Sequence, residues 1–554
     1  MTASLVLGPM LRYVDETSAS LWVETSAACT VELRVGVHSW TAATFAVHDH
    51  HYALVEAEGL PAGATLRYTL GIDGERVWPE RDSPFPDPSI RTLHPDRRLR
   101  LAFGSCRTSV PHDAMGNATH GVDALRAYAL DQAGNDDDDA VRPDLLALLG
   151  DQVYADSTSS EMQDFIASRR SLDEPPGEEL KDYEEYAHLY KLAWSDEANR
   201  WLLSTVPSAM IFDDHDIRDD WNASLTWREK MNATTWWHGR IVAGLASYWV
   251  YQHLGNLSPA ARAEDTLWRQ VSAHTGAGEL DLTADLEAFA ERADSHPLSY
   301  RWSYCRDIGG VRIITVDSRA ARVLDPGRRS LLDDAELTWL DEHFQGGVRH
   351  LLVATSLPFL LPRGLHHIES WDEALSEGAW GKLGARIGET LRQALDLEHW
   401  AAFQRSFRAI ADRALEVADG KRGPAPQTVT FLSGDVHFSY IAEVERSSGS
   451  RILQAVCSPV RNPLPRALRF ATVVMSYGVA SPIGALVARS VKVPKPPFSW
   501  TTVKGPWFDN NLAVLEDTED GMKLQWATGV TAGDARSPRL KEVATYTVPP
   551  RTRE

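Results

Sequence analysis

The segment FDDHDIRDD gathers five aspartates and a histidine into residues 213–220, directly behind the apolar run AMIF. Carboxylates so crowded repel one another and are costly to desolvate, so positive charge is expected among them. Five more apolar runs stop at chemically capable residues. LRLAFGSCR ends at Cys106 with Arg107 beside it, and DLLALLGDQVYAD ends at Asp151 and Tyr154. VRIITVDSR ends at Asp317 and Arg319, HLLVATS at Ser356, and TVTFLSGDVH at Asp435 and His437. Carboxylate, imidazole, thiol and phenol together supply the donors of a paired-ion site. In such a site two ions about 3.5 to 4 Å apart bind phosphate oxygens and generate hydroxide at neutral pH. It needs one bridging carboxylate and several ligands, each held on a strand end.

The positioning elements follow from the same runs. Beyond residue 96, short apolar strands alternate with helical segments, the pattern of an α/β domain. In open α/β sheets ligands bind outside the carboxyl ends of the strands, so strands laid side by side bring all six clusters to one rim. Asp, Ser and Gly also mark ordinary loops after strands, which accounts for one or two clusters but not for Cys, Tyr, grouped acids and Asp-x-His together. The helical stretch 181–203 spaces its aromatics for packing. NDDDDA, residues 135–140, reads as a solvated loop, with a calcium site as the alternative.

Residues 1–95 have a different texture. SASLWVET and CTVELRVGV alternate as half-buried antiparallel strands do. GLPAGATLRYTLGIDGERV places a turn before Tyr68, which resembles fibronectin type III and immunoglobulin-like sandwiches. The proline-rich stretch 78–95 reads as the linker to the second domain, residues 96–554.

Composition narrows the function. Of 554 residues, 56 are Lys or Arg and 77 are Asp or Glu, a net charge of −21, which disfavours a nucleic-acid partner and demands local cations for any phosphate-bearing substrate. The four cysteines are scattered with no CxxC pair, so neither a disulfide framework nor a zinc ribbon is indicated. The N-terminus lacks the basic and apolar regions of a secretory signal, giving a cytoplasmic expectation. FATVVMSYGVASPIGALVA, residues 470–488, is uncharged over 19 residues. Its glycines and proline suit a lid or core hairpin better than a span, so no transmembrane helix is expected and weak interfacial contact is the alternative. The oligomeric state is not legible.

Taken in order, GSCR (104–107), GDQVYAD (150–156), FDDHD (212–216), YRWSYCRDIGGVRIITVDSRAAR (300–322) and SGDVHFS (433–439) resemble the PhoD-like alkaline phosphatases, within the calcineurin-like metallophosphoesterases. The resemblance implies an α/β fold, a metallophosphoesterase-like β-sheet sandwich flanked by helices and preceded by the N-terminal Ig/fibronectin-III-like β-sandwich. It implies hydrolysis of phosphomonoesters or phosphodiesters; the substrate is a small-molecule ester or, as the apolar segment 470–488 raises, a lipid-linked one. Carried across, Asp151 matches the bridging carboxylate, Tyr154 a phenolate ligand and Cys106 a thiolate ligand, a pairing suited to Fe(3+). Ca(2+) is implied as the second metal, with Zn, Mn or Mg as alternatives. Asp214, Asp435 and His437 match further ligands, and His215 matches the general acid or phosphate stabiliser. Arg107 and Arg319 are candidates for gripping a phosphate oxygen, with a structural ion pair as the alternative for each. Asp317 would hold an arginine or imidazole, or ligate directly. Where the family often has Glu and then Asn, this chain has Asp216, Asp219 and Asp220, an acidic excess that would strengthen a hard cation. The competing reading is a non-catalytic binding protein in which the sandwich works on a silent scaffold.

Overall fold

The computed structural model describes residues 2–135, 141–465, 469 and 480–550. The acidic stretch 136–140 and residues 470–479 of the apolar segment lie outside the described residues.

The N-terminal strands form two facing sheets. One orders Leu5–Val14, Ser18–Thr25, His50–Glu58 and Phe45–Val47; the other orders His38–Ala43, Thr30–Val35, Thr69–Ile72 and Glu75–Trp78. Leu11, Leu21, Val23 and Val55 from the first meet Val31, Leu33 and Leu70 from the second in one apolar cluster. Ser18–Thr25 is buried along its whole length. Alternation explains why: Leu21 and Val23 face the sandwich core, while Trp22 between them joins the main core of the chain. Arg12, fully buried, crosses the same boundary and donates to the Tyr251 and Gln252 carbonyls, both at 2.6 Å.

Two expectations change here. The stretch 78–95 is no free linker: Ser89–Arg91 pairs antiparallel with Thr65–Arg67, and Phe85 stacks on Trp201, whose indole donates to the Pro86 carbonyl at 2.9 Å. Aromatic burial and ladder hydrogen bonds outweigh the proline-rich composition. The sandwich also borrows a strand, Leu280–Asp281, from the later chain, paired with Phe45–Val47. Tyr68 donates its hydroxyl to the Ser204 carbonyl at 2.7 Å, outside the sandwich.

The remaining strands build a second pair of sheets. A six-stranded sheet orders Ser208–Ile211, Leu145–Leu149, Arg100–Gly104, Leu512–Thr518, Gly521–Val530 and Arg539–Val548. A seven-stranded sheet orders Tyr304–Ile308, Val311–Val316, His350–Thr355, Thr428–Ser433, Arg451–Val456, Ser439–Val444 and Trp500–Trp507. Leu101, Phe103, Leu515 and Leu524 of the first share a core with Leu352, Leu432 and Leu453 of the second. The Trp526 indole joins the sheets by donating to the Val456 carbonyl at 3.0 Å. Helix Ala124–Gly134 lies on the six-stranded sheet and helix Gln404–Ala418 on the seven-stranded one. Sheets covered on both faces require continuous apolar strands, and LLALL and HLLVAT are buried throughout.

Arg100–Gly104, Leu145–Leu149 and Ser208–Ile211 run parallel, as do Val311–Val316, His350–Thr355 and Thr428–Ser433. All six clusters therefore leave the carboxyl ends of parallel strands. The aromatic stretch 181–203 forms two helices, Tyr183–Trp194 and Glu197–Thr205, capped by Asp182 and Asp196, with Tyr186, Tyr190, Trp194 and Trp201 buried. Residues 480–488 begin helix Ala480–Ser490, which packs on helix Arg363–Ser376. Among the described residues, no helix is long and apolar enough to cross a membrane.

Candidate metal centre

The rim is made of strained, mutually tethered turns. Cys106, Asp151, Asp435 and His437 all adopt left-handed backbone, with φ of 59°, 50°, 65° and 55°. Each such residue costs on the order of 1–3 kcal/mol and persists only where its surroundings enforce it. The enforcement is visible. The Cys106 amide donates to the Gly150 carbonyl and the Arg107 amide to the Asp151 carbonyl, at 3.2 and 3.1 Å. The Asp216 carboxylate accepts the amides of Asp151, Asp213 and Val153 and the Gln252 side chain. Ser105 Oγ accepts the Asp435 amide at 3.2 Å, tying the second sheet to the first. The glycines of both Gly-Asp pairs are obligatory: a Cβ on Gly150 (φ 100°) would stand 2.7 Å from Asp213 Cβ, and one on Gly434 would collide with Ser105.

These turns aim the predicted ligands at one another. Donor atoms of Cys106, Asp151 and His437 lie within 4.8 Å of one another, and so do those of Asp151, Asp213 and Asp214. Asp151 belongs to both groups. Tyr154 joins the first, its hydroxyl 3.3 Å from Asp151 Oδ2. Among the described residues, Asp151 Oδ1 and Asp213 Oδ2 are buried without a hydrogen-bond partner. Buried carboxylate oxygens with empty lone pairs, beside a thiol and a phenol, fit cations: the charge would satisfy the orphaned oxygens and hold thiolate and phenolate deprotonated.

The electrostatics point the same way. Burial, reinforced by Asp151 and Asp435, pushes the Cys106 thiol well above its ordinary range, and burial with Cys106 and Asp151 does the same to Tyr154. Burial likewise raises Asp151 and Asp213, with like charges adding to it. His437 falls to about 4 through burial and the neighbouring His215 charge, leaving a neutral imidazole able to ligate. His215 moves the opposite way: Asp156, Asp214 and Asp151 outweigh its burial and hold it protonated. Its Nδ1 is 2.9 Å from Asp156 Oδ1, and its ring lies 4.7 Å from that of Tyr154.

Burial raises Asp216 to about 7 and Asp220 to about 9, so the metal-free folded chain binds protons that the unfolded chain releases near pH 4. The stability these groups contribute is complete below about 4 and is lost as pH rises through about 7 and then about 9. Chelator-treated protein should therefore melt at progressively lower temperature across that window, and the slope should flatten when metal is restored. A metal-free melting temperature that climbs with pH would contradict this electrostatic picture.

The structure shows what each of the remaining candidates touches. Arg107 sits in the ion pair that was its alternative, its guanidinium engaging Asp123 at 2.8 Å and the Ala193 carbonyl at 2.6 Å. Arg319 is fully buried inside the acidic cluster: it pairs with Asp213 at 2.5 Å and Glu398 at 2.6 Å, and stands 2.9 Å from Asp214 Oδ1. Asp213, the neighbour of the Asp214 assigned to metal, faces Asp151 together with it. Asp435 accepts His399 Nε2 at 2.7 Å, and that imidazole with Arg319 outweighs burial to keep it well below the carboxylate range. Asp317 caps the amides of Arg319, Ala320 and Ala321, holding an arginine through its backbone. Asp216 is no extra anion for a cation, because amides occupy it. Unforeseen in the sequence are Asp156, His399, Glu369, which accepts His399 Nδ1 at 2.6 Å, and Glu398, which bridges Arg319 and Arg322.

A family profile described as PhoD-like phosphatase matches residues 128–472, more than half of the chain. The chain belongs to the PhoD-like phosphatase family. The matched region holds Asp151, Tyr154, the 213–220 aspartates, Arg319, Asp435 and His437; Cys106 precedes it. A second profile, a domain of unknown function (DUF7800), covers residues 2–90. The solved structure of PhoD matches with a TM-score of 0.61 at 13% identity, covering 99% of this chain and 91% of that one. This similarity confirms the mixed α/β fold with its β-rich N-terminal region. The purple acid phosphatase PPD1 from yellow lupin (Lupinus luteus) seeds matches with a TM-score of 0.47 at 10% identity, covering 97% and 74%. No curated protein matches the chain.

Proposed function

We propose that the chain hydrolyses phosphate monoesters or diesters at a centre holding at least two cations, bridged by Asp151. The observation that carries this reading is the sharing of Asp151 between two groups of buried donors, with one of its oxygens unpartnered. Cys106, Tyr154 and His437 complete the side suited to ferric iron; Asp213 and Asp214 complete an all-oxygen side suited to calcium. When bound, such ions supply positive charge that draws in phosphoryl oxygens and lowers the pKa of water.

The chain's own side chains do the rest. Asp156 fixes His215 through Nδ1, so that Nε2 carries the proton toward the leaving oxygen. Arg319 keeps Asp213 and Asp214 close despite their repulsion. His399 and Glu369 orient Asp435.

The direct test is turnover of a chromogenic phosphate ester before and after chelation, with Fe, Ca, Zn, Mn and Mg restored singly and in pairs. Turnover indifferent to the chelator would overturn the reading. For the iron assignment, the purified protein should be coloured by charge transfer from Cys106 and Tyr154, and the band should fade in Cys106→Ser and Tyr154→Phe. A colourless, fully active zinc or manganese enzyme would remove iron from the proposal and leave hydrolysis standing.

A further inference from the structure

A cavity of about 220 Å³ opens between helix Arg363–Ser376, helix Ala480–Ser490 and residues 493–500. Its walls carry Arg363, Arg489 and Lys495, together with His366 and His367. Among the described residues, no carboxylate lines it. In a chain of net charge −21 this is a local reversal of sign. The two histidines are 1% and 8% exposed, and Nδ1 of His366 and Nε2 of His367 have no hydrogen-bond partner among the described residues. Buried polar nitrogens rarely go unmatched, and each such case calls for a partner.

Helix packing makes the site. A Cβ on Gly484 would stand 2.9 Å from His367 Cβ and 3.3 Å from the Gly364 carbonyl, so the glycine allows the two helices to close on the histidines. Arg408 donates to the Pro494 and Lys495 carbonyls at 2.7 and 2.8 Å, fixing the third wall. The His366 ring is wedged between Phe407 and Trp500 at 4.7 and 4.8 Å. Burial and the surrounding cations depress both imidazoles, His366 to about 3, so they are neutral and each can donate one ring N–H.

We propose that this cavity is a second, non-catalytic site for a phosphate-type anion, either free phosphate or the headgroup of a phosphorylated lipid. Its volume suits a tetrahedral anion and is small for a nucleotide. Two arginines, a lysine and two imidazoles match the charge and hydrogen-bonding demand of such a group. It shares no residue with the metal centre, and it holds whether or not the chain is a hydrolase.

The test titrates inorganic phosphate into the full-length metal-loaded chain by calorimetry. Two sites are expected, one lost in Asp151→Asn and the other weakened at least about tenfold in the Arg363→Gln/Arg489→Gln double variant. A cooperative thermal melt of the double variant reports that it is folded; should it fail to fold, Lys495→Gln, at an exposed position, must weaken the same site. In a parallel arm, flotation with phosphatidic acid in phosphatidylcholine vesicles, compared with phosphatidylcholine alone, identifies a lipid source if it is lost in the double variant. Flotation that never occurs, with the calorimetric difference intact, identifies free phosphate. Phosphate and vesicle binding unchanged in both variants would overturn the proposal.

Discussion

Asp151→Asn should reduce turnover of a chromogenic phosphate ester to the uncatalysed background and lower the metal bound per chain. Asn keeps the shape of Asp but cannot offer two anionic oxygens to two cations, and Asp151 is the residue common to both donor groups. The same substitution should raise the melting temperature of the metal-free protein. Burial with Asp213 and Asp214 pushes the Asp151 carboxyl well up, so its ionised form opposes folding when no cation is present. A structural aspartate would show the reverse pattern, with stability lost and metal content kept. Full activity in Asp151→Asn would end the proposal of a bridged centre.

His215→Gln should retain metal and lower kcat by about 10² to 10⁴ for an alkyl phosphate, the usual contribution of a placed general acid. For an ester of a strongly acidic phenol the loss should be much smaller, because that leaving group departs without a proton. Equal losses on both substrates would assign His215 to phosphate binding and remove it as the proton donor. Asp156→Asn should reproduce a weaker form of the same leaving-group dependence, since Asp156 sets which ring nitrogen of His215 is free.

Most of the framework was legible because the sequence concentrates its information. Continuous apolar runs require strands buried on both faces, and parallel strands deliver their carboxyl ends to one rim, so Cys106, Asp151, Asp213 to Asp216, Arg319, Asp435 and His437 could be placed together without coordinates. What escaped notice lacks that signature. His399 sits in LDLEHW, behind no strand, and reaches Asp435 only because a helical insertion folds back over the rim. Asp156 was in view within GDQVYAD, and its spacing of five from Asp151 was the available signal. Arg107 and Asp123 show the opposite limit: adjacency to Cys106 suggested substrate contact, whereas a cap on helix Ala124–Gly134 had already claimed the guanidinium. Composition misled at 78–95, where prolines coexist with a buried strand.

Arg12 and Trp22 show how the N-terminal sandwich is joined to the rest. A chain trimmed to begin at residue 96 would uncover the hydrophobic bed of an indole and strand the carbonyls of Tyr251 and Gln252 without their guanidinium. Gln252 also donates to the carboxylate that staples three rim turns. Exchanging this sandwich for an unrelated one would therefore loosen the rim turns from behind.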